Sequence, residues 1–204
     1  GERHRTQNVG DGSLFHSSYL NIRYAVDAGV DITYKILYNG AIANTGAQVP
    51  VGQRSVRDLM GLLELDGVAH VALITKSPEH HDRRSLGPRM SVHPVQDYER
   101  VLRDLESTPG VTVFIYDEMC ANERRRQRKR GTFPAARRLV VINPAVCDNC
   151  GDCGKVSNCM SLQKIDTPLG PKTHVHQSSC NQDESCLRGN CPSFLTVEVD
   201  DSTA

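Results

Sequence analysis

The cysteines of this chain are concentrated in one segment, with spacings that suit metal chemistry. Seven of the eight lie between Cys147 and Cys191, and the first three, Cys147, Cys150 and Cys153, are separated by two residues each. Three thiolates on one short loop can bind three irons of a cubane cluster, and a remote cysteine can bind the fourth. Because this spacing is typical of bacterial ferredoxins, the segment predicts an iron–sulfur site.

The assignment of cysteines to clusters stays open, because two four-iron clusters need one thiolate more than the seven in the segment. In one arrangement, a first cluster is bound by Cys147, Cys150, Cys153 and Cys191, and Pro192 then matches the Cys-Pro that ends ferredoxin runs. A second cluster would be bound by Cys159, Cys180 and Cys186. It would contain three irons, or take a fourth ligand from His174, His176 or Asp183.

In the other arrangement, a single cluster is bound by Cys147, Cys150, Cys153 and Cys159, and the remaining cysteines of the segment are structural. Zinc is the competing metal, but structural zinc sites usually pair two Cys-x2-Cys knuckles, which this spacing fits less well. Cys120 lies outside the segment, at the end of a predicted strand, where we expect it to pack in the core.

A second motif, Gly10-Asp11-Gly12, follows a short predicted strand near the start of the sequence. A carboxylate there lies at the carboxyl end of a strand, where α/β sheets bind ligands, and the glycines let the backbone approach a phosphate closely. The triplet alone is equally compatible with a simple turn. However, Asn39 directly follows the strand predicted over Ile32–Tyr38, and this places it beside Asp11. A carboxylate, an amide oxygen and a main-chain carbonyl suit Mg²⁺ and a phosphate ligand.

The elements that would position these residues alternate between strand and helix. Strand patterns cover residues 6–9, 32–38, 71–75, 92–95, 111–116 and 139–142, and helix patterns cover residues 55–66 and 96–107. A further helix, ending near Gly29, has an apolar face formed by Tyr19, Leu20, Ile22, Ala25 and Val26. This alternation predicts an α/β fold, a doubly wound parallel sheet with helices on both faces.

The composition changes after Pro144, where hydrophobic periodicity ends and Cys, Asn, Gly, Asp and Ser dominate. Such a segment has too few apolar residues for an ordinary core, so a bound metal or cluster would have to organise it. We therefore expect two domains, an α/β domain over residues 1–144 and a small irregular iron–sulfur segment over residues 145–204.

Several of these motifs together resemble one enzyme family. Gly10-Asp11-Gly12 with Asn39 is similar to the diphosphate-binding motif of thiamine-diphosphate enzymes. The residues from Tyr38 to Gln48 resemble the loop of the 2-oxoacid:ferredoxin oxidoreductases that ends in Asn-Thr-Gly-Gly-Gln, with Ala47 here in place of a glycine. Phe15-His16-Ser17, and the stretch from Ile115 through the arginine run, are similar to the indolepyruvate:ferredoxin oxidoreductases. The resemblance extends from Asn8 to about Val199.

The resemblance implies particular roles for individual residues. Asp11 and Asn39 would bind Mg²⁺ through their side chains, and Ala41 through its carbonyl oxygen. The residues that would contact the cofactor are Gly10, Asp11, Gly12, Asn39, Ala41, Asn44 and Thr45. His16 would face the reacting carbon as an acid–base group, or else be a helix-start histidine with a structural hydrogen bond.

The resemblance also implies the reaction and the partners. A thiamine-diphosphate-binding domain, N-terminally incomplete here, would use thiamine diphosphate, Mg²⁺ and one or two [4Fe-4S] clusters. The complete enzyme would convert a 2-oxoacid, coenzyme A and oxidised ferredoxin to acyl-CoA, CO₂ and reduced ferredoxin. The sequence does not begin with Met, and we expect a fragment that acts with the remaining domains of a cytoplasmic, homo-oligomeric oxidoreductase.

Composition and charge bear on the competing functions. The formal net charge is zero and the basic run over residues 124–130 contains no aromatic residues, so nucleic-acid binding is disfavoured. We expect that run to be a solvated helix face, or a surface that docks acidic ferredoxin or another domain. No apolar run approaches the ~20 residues of a membrane span. The rival functions are a non-enzymatic iron–sulfur electron-transfer module and a zinc-binding nucleic-acid module.

Overall fold

The computed structural model describes residues 4–134 and 137–199 of the chain. These residues divide into two compact units, with the division between Cys120 and Ala121. Among the described residues, no helix combines the length and the apolar character that crossing a bilayer requires.

The first unit alternates strands with helices. Its elements are β1 (Arg5–Gly10), α1 (Asp11–Ser13), α2 (Tyr19–Asp27), β2 (Ile32–Tyr38), α3 (Val56–Leu65), β3 (His70–Thr75), β4 (Met90–Pro94), α4 (Tyr98–Glu106) and β5 (Val111–Asp117). A π-helical segment, Leu14–Ser18, joins α1 to α2. The strands form one sheet in the order β1-β2-β5-β3-β4, and every neighbouring pair is parallel. The predicted α/β fold with a parallel sheet is thereby confirmed.

Buried apolar side chains cover both faces of this sheet. On the central strand β5, Ile115 belongs to one core cluster, together with Ile22 of α2 and Leu63 of α3. Phe114, the preceding residue, belongs to a second cluster with Val101 of α4. Because successive side chains of a strand point to opposite faces, α2 and α3 pack on one face and α4 on the other, as a doubly wound sheet requires.

The apolar face of α2 is narrower than the sequence predicts. Ile22 and Ala25 are buried, and Tyr19 and Val26 pack against the same cluster. Leu20, in contrast, is 63% exposed, so its assignment to this face is wrong. Leu20 precedes Ile22 by two positions, which is about 200° around a helix with 3.6 residues per turn, and it therefore points away from the sheet.

The second unit contains α5 (Ala121–Lys129), β6 (Arg138–Ile142), α6 (Asp152–Ser157), β7 (Leu162–Thr167), β8 (Gly170–Val175) and β9 (Phe194–Glu198). β6 pairs with β9, and β7 with β8, in two antiparallel ladders. The buried core cluster of this unit consists of Val140, Val175 and Cys186, with a few partly buried neighbours. The apolar core of this unit is therefore small.

The division between the units falls before the position where the composition changes. We predicted a boundary at residue 144 and expected the strand over 139–142 to follow the pattern of the first domain. Instead, β6 pairs with β9 across the whole cysteine segment, with Val140 opposite Thr196. This antiparallel pairing, together with the position of α5, assigns residues from Ala121 onward to the second unit.

Candidate functional site

Asp11 lies immediately after β1, at the carboxyl end of the parallel sheet, and only 2% of its surface is exposed. Its Oδ2 accepts hydrogen bonds from the backbone N–H groups of Asn39, at 3.0 Å, and Ala41, at 3.2 Å. The strands that carry these residues are adjacent, with Gly10 of β1 opposite Leu37 of β2. The structure therefore brings Asp11 and Asn39 together, as the spacing in the sequence indicates.

The environment of Asp11 acts on its ionisation in two opposing ways. Burial raises the pKa of the Asp11 carboxyl, while hydrogen bonds from the backbone of Asn39, Gly40 and Ala41 lower it, and the net effect is a rise. A buried carboxylate is costly unless hydrogen bonds or a cation compensate its charge. The site therefore favours either a proton on Asp11 or a cation beside it.

The side chains of Asp11 and Asn39 share one backbone donor, the N–H of Ala41. The Asn39 Oδ1 accepts a hydrogen bond from the Ala41 N–H at 3.0 Å, and the same N–H points at the Asp11 carboxylate. The oxygen atoms of both side chains thus gather around the first residues of the loop that follows β2. Oxygen donors of this kind are those that a hard cation such as Mg²⁺ selects.

The two glycines of the Gly10-Asp11-Gly12 motif have different surroundings. A Cβ on Gly12 would lie 3.4 Å from two side-chain carbons of Ile42, whereas a Cβ on Gly10 would meet no atom within 4 Å. A side chain at position 12 would therefore contact Ile42 in the loop after β2. Gly10 leaves an open surface beside Asp11, where a ligand can approach the backbone.

The remainder of the loop forms a tight, exposed turn. Asn44 and Thr45 lie in a 3-10 turn, Ala43–Thr45, and both are exposed. Thr45 Oγ1 donates to Gln48 Oε1 at 2.7 Å, and the Gln48 amide donates back to the Thr45 carbonyl at 2.8 Å. No described contact joins either residue to Asp11, so their predicted contact with a cofactor stays a prediction.

His16 lies in the π-helical segment after α1, where its side chain is exposed. Among the described residues, no side-chain hydrogen bond involves His16, so the structural hydrogen bond considered as an alternative is not found there. Its predicted role at the reacting carbon stays a prediction. The one-residue widening of a π-helix is often found at functional sites.

Asp117, the last residue of β5, is a candidate site residue that the sequence argument did not identify. Burial raises the pKa of the Asp117 carboxyl, the charge of His81 lowers it, and the charges of Glu118 and Asp11 raise it further. β5 lies next to β2 in the sheet, with Tyr38 opposite Asp117. The signal that could have revealed Asp117 is its position, an acidic residue at the carboxyl end of a central parallel strand.

The seven cysteines of the segment interact in two sets. Burial raises the pKa of Cys153, and the charges of Cys150, Cys191 and Cys147 raise it further, against a backbone hydrogen bond from Gly154. These are the four cysteines that the first arrangement assigns to one cluster, and we call them the four-cysteine set. Which of the two predicted arrangements binds a cluster stays a prediction.

The other three cysteines, Cys159, Cys180 and Cys186, form the second set, here called the three-cysteine set. Burial raises the pKa of Cys186 to about 11, with further increases from the charges of Cys159, Cys180 and Asp183, while a backbone hydrogen bond lowers it. Of the possible fourth ligands, Asp183 thus lies within electrostatic range of this set. The Nδ1 atoms of His174 and His176 instead contact the Gln163 carbonyl, at 3.1 Å, and the Ser179 hydroxyl, at 2.9 Å.

Backbone donors point at one sulfur atom of each set. The N–H of Asn149 donates to Cys147 Sγ at 3.4 Å, and the N–H of Gln182 donates to Cys180 Sγ at 3.3 Å. Such N–H···S contacts stabilise thiolates, and they are among the factors that set the potential of iron–sulfur clusters. Nonetheless, within residues 4–134 and 137–199 no three His, Cys, Asp or Glu side chains converge closely enough to hold a metal ion. Charges interact over longer distances than metal–ligand bonds. Cysteines that interact electrostatically therefore need not lie close enough to bind one metal ion.

Comparisons with known proteins identify no family. No protein-family model matches the sequence, and no curated protein matches it either. Among solved structures, the chain is similar to a proposed thiamin diphosphate-dependent enzyme isolated from Mycobacterium smegmatis, with 18% sequence identity and a TM-score of 0.41. The similarity covers 58% of this chain and 18% of that structure. A similarity of this extent carries no argument about function.

Proposed function

We propose that this chain contributes the diphosphate- and metal-binding part of a thiamine-diphosphate-dependent 2-oxoacid:ferredoxin oxidoreductase, of the indolepyruvate type, together with its iron–sulfur segment. The observation that carries this proposal is the meeting of Asp11, Asn39 and the loop after β2 at the carboxyl end of a parallel sheet. Ligands of α/β folds bind at this end of the sheet. The remaining domains of the enzyme would supply the rest of the site.

The residues at this end of the sheet fit Mg²⁺ and a diphosphate. A cation beside Asp11 would compensate its buried charge, and the Asn39 amide oxygen and the Ala41 carbonyl would complete a set of oxygen donors. Gly10 leaves room for a phosphate close to the backbone. Thiamine diphosphate, when bound, supplies the electron sink that decarboxylation of a 2-oxoacid requires. The role of these residues is to bind and orient its diphosphate.

The second unit would supply the acceptor for the electrons released. A four-thiolate set suits a [4Fe-4S] cluster, and a three-thiolate set suits a three-iron cluster or a four-iron cluster with another ligand. The small apolar core of the unit also supports this proposal, since a bound cluster would supply the missing stabilisation. Oxidised ferredoxin would then receive the electrons, and coenzyme A the acyl group.

Calorimetric titration of the chain with thiamine diphosphate and Mg²⁺ tests the first half of this proposal. We expect Asp11→Asn to weaken binding at least tenfold, because it removes the charge that faces the cation. Asp27→Asn, the same chemical change at an exposed residue of α2, should leave binding unchanged. Equal binding by all three proteins would overturn the thiamine-diphosphate assignment.

Iron, acid-labile sulfide and zinc counts on anaerobically purified chain test the second half. Iron with matching sulfide and a broad visible absorbance would support the redox assignment. Iron without thiamine-diphosphate binding would instead indicate an electron-transfer module. A colourless protein with stoichiometric zinc would overturn the oxidoreductase and leave the zinc module, whose nucleic-acid affinity should fall steeply with salt.

A further inference from the structure

A cleft of about 670 Å³ lies between α3 and the segment over residues 80–90, which leads into β4. Its volume is within the range of small-molecule sites, about 300–1,000 Å³. None of Asp11, Asn39 and Ala41 lines this cleft. It is therefore separate from the site proposed for thiamine diphosphate.

The two walls of the cleft are joined by hydrogen bonds beside it. The backbone N–H of Arg89 donates to Glu64 Oε1 at 2.9 Å, and the Arg89 guanidinium donates to the Glu64 carbonyl at 2.7 Å. A Cβ on Gly87 would lie 2.0 Å from Glu64 Oε2, so glycine at this position leaves room for the carboxylate. These contacts fix the segment against α3, and the cleft is thus part of the folded first unit.

Much of the cleft surface is apolar. Leu65 is 85% exposed and Leu62 is 39% exposed, so this surface remains in contact with water. Transfer of apolar surface from water to an apolar ligand is favourable, and the flexible methionine side chains can adapt to the shape of such a ligand. The apolar residues that line the cleft are Met60, Leu62, Leu65, Leu86 and Met90.

Gly61, in the middle of α3, keeps this wall of the cleft open. It lines the cleft, and a Cβ built on it would meet no atom within 4 Å. Glycine is unfavourable in a helix interior, and Gly61 does not have the positive φ that would require it. Arg57, Gly61 and Leu65 are spaced by four positions and share one face of the helix. A larger side chain at position 61 would therefore occupy space in the cleft.

Basic side chains supply hydrogen-bond donors to the same cleft. Arg54 and Arg57, at the start of α3, line one wall, and His80 and His81 line the other. Both arginines are exposed. Within residues 4–134 and 137–199, neither arginine side chain forms an ion pair or a hydrogen bond. Their guanidinium groups are thus available to a ligand.

The two acidic residues of the cleft make local hydrogen bonds of their own. Asp58 Oδ2 accepts a hydrogen bond from the Ser55 hydroxyl at 2.7 Å, and Asp82 Oδ1 accepts one from the backbone N–H of Arg84 at 3.0 Å. An anion from outside the chain would supply the acceptors that Arg54 and Arg57 lack. Guanidinium groups bind carboxylate and phosphate groups through two parallel hydrogen bonds.

We propose that this cleft binds an organic anion with an apolar body. The carboxylate or phosphate group of the ligand pairs with Arg54 and Arg57, and its apolar part lies against Gly61 and Leu65. This inference does not depend on the proposed function, because the cleft and the residues around Asp11 have separate linings.

Fluorescence anisotropy of naphthaleneacetate, titrated with the complete chain, tests this inference. The chain contains no Trp, so the protein adds little background to naphthalene fluorescence. Naphthaleneacetamide has the same aromatic body without the charge, and we expect it to bind about tenfold more weakly. Naphthyl phosphate distinguishes the two head groups, because the tighter of the two anions identifies the group that the arginines prefer.

Two variants separate the charged and apolar parts of the site. Arg57→Gln should weaken binding of naphthaleneacetate about tenfold and leave binding of the amide nearly unchanged. Arg103→Gln removes the same charge from an exposed position of α4, on the other face of the sheet, and should leave both affinities unchanged. Gly61→Leu should abolish binding of both probes because its side chain fills the cleft.

Unfolding in urea distinguishes a blocked cleft from a damaged fold. Leucine has a higher helix propensity than glycine, so Gly61→Leu should raise the free energy of unfolding while it abolishes binding. Failure of both anions to bind the unmodified chain would overturn the inference. Equal binding of the acid and the amide, equal losses in Arg57→Gln and Arg103→Gln, or normal binding by Gly61→Leu would overturn it as well.

Discussion

At the scale of single residues, the carboxyl end of the sheet holds two acidic groups that lack full solvation. The pKa values of Asp11 and Asp117 are both raised, primarily by burial, and the charge of Asp11 adds to the rise at Asp117. A buried carboxyl group with a raised pKa lowers the stability of the fold. Groups with perturbed pKa values are concentrated at functional sites. The raised pKa values are consistent with a site that binds a cation.

The ionisation of Asp117 predicts a pH-dependent stability. Because the pKa of Asp117 is raised in the folded protein, the folded state binds the proton more tightly than the unfolded state. Stability is therefore lost as pH rises from the unfolded-state pKa through the folded-state pKa. Replacing Asp117 by Asn removes this loss. In urea unfolding, the Asn variant should therefore gain stability relative to the unmodified chain as pH rises above about 4.

The control for this prediction is Asp27→Asn, in which the carboxyl is exposed on α2. Its stability difference from the unmodified chain should not follow the trend of Asp117→Asn across the same pH range. Parallel trends in the two variants would contradict burial of Asp117 as the cause.

Replacement of Ala47 by glycine should stabilise the folded protein. It adopts a φ of 65° in the loop after β2, a left-handed conformation that costs a residue with a Cβ about 1–2 kcal/mol. Glycine avoids this cost, but its flexibility stabilises the unfolded chain by about 0.4–1 kcal/mol. We therefore expect Ala47→Gly to raise the free energy of unfolding by roughly 0.5–1 kcal/mol in urea denaturation.

Ala28→Gly is the matched change at a right-handed position, since Ala28 has a φ of −78° at the end of α2. There the entropy cost is not offset, so this variant should be less stable than the unmodified chain. If both glycine variants shifted stability in the same direction, strain at Ala47 would not be the explanation.

At the scale of elements, α3 depends on a local capping interaction. Ser55 is its N-cap, and the Ser55 hydroxyl accepts a hydrogen bond from the Asp58 N–H at 3.1 Å. The sequence predicts this arrangement, because Ser followed by an acid three residues later is a variant of the capping box. The buried face of α3, including Leu59 and Leu63, then covers the sheet.

Loss of this cap should destabilise the first unit measurably. Ser55→Ala is expected to lower the free energy of unfolding by about 1 kcal/mol. Ser18 occupies the same N-cap position in α2 but makes no capping hydrogen bond with its side chain, so Ser18→Ala should cost clearly less. Equal losses in the two variants, measured by urea denaturation, would argue against a specific contribution of the Ser55 cap.

At the scale of the whole molecule, the two units differ in what stabilises them. The first unit has a parallel sheet with apolar clusters on both faces. The second has two short antiparallel ladders and a small buried cluster. The first should therefore stay folded without a cofactor, whereas the second, under the proposed function, should depend on a bound cluster.

Removal of iron with a chelator under reducing conditions should act on one unit only. We expect hydrogen exchange of backbone amides to accelerate throughout β6, β7, β8 and β9, with protection in β2, β3 and β5 nearly unchanged. Deuterium uptake followed by mass spectrometry of peptides would measure this difference. Uniform acceleration in both units would show that the first unit also depends on the cluster, and no acceleration would show that the second does not.

The sequence alone predicted the elements whose stability is local. β2 coincides with the predicted strand, Ile32–Tyr38, and α3 begins after the predicted N-cap Ser55. β-branched residues and caps act within a few positions, so they can be recognised in the sequence. The approach of Asn39 to Asp11 was also predictable, because consecutive parallel strands end on the same side of a sheet.

Only the tertiary structure decided the features that depend on distant pairing. β6 has an ordinary strand pattern, but its partner β9 lies beyond the whole cysteine segment, and no local signal specifies that pairing. Likewise, the position of Asp117 opposite Tyr38, at the same end of the sheet as Asp11, follows from the strand order, in which β5 lies next to β2. Long-range contacts of this kind are determined by the free energy of the complete fold, which local sequence patterns do not specify.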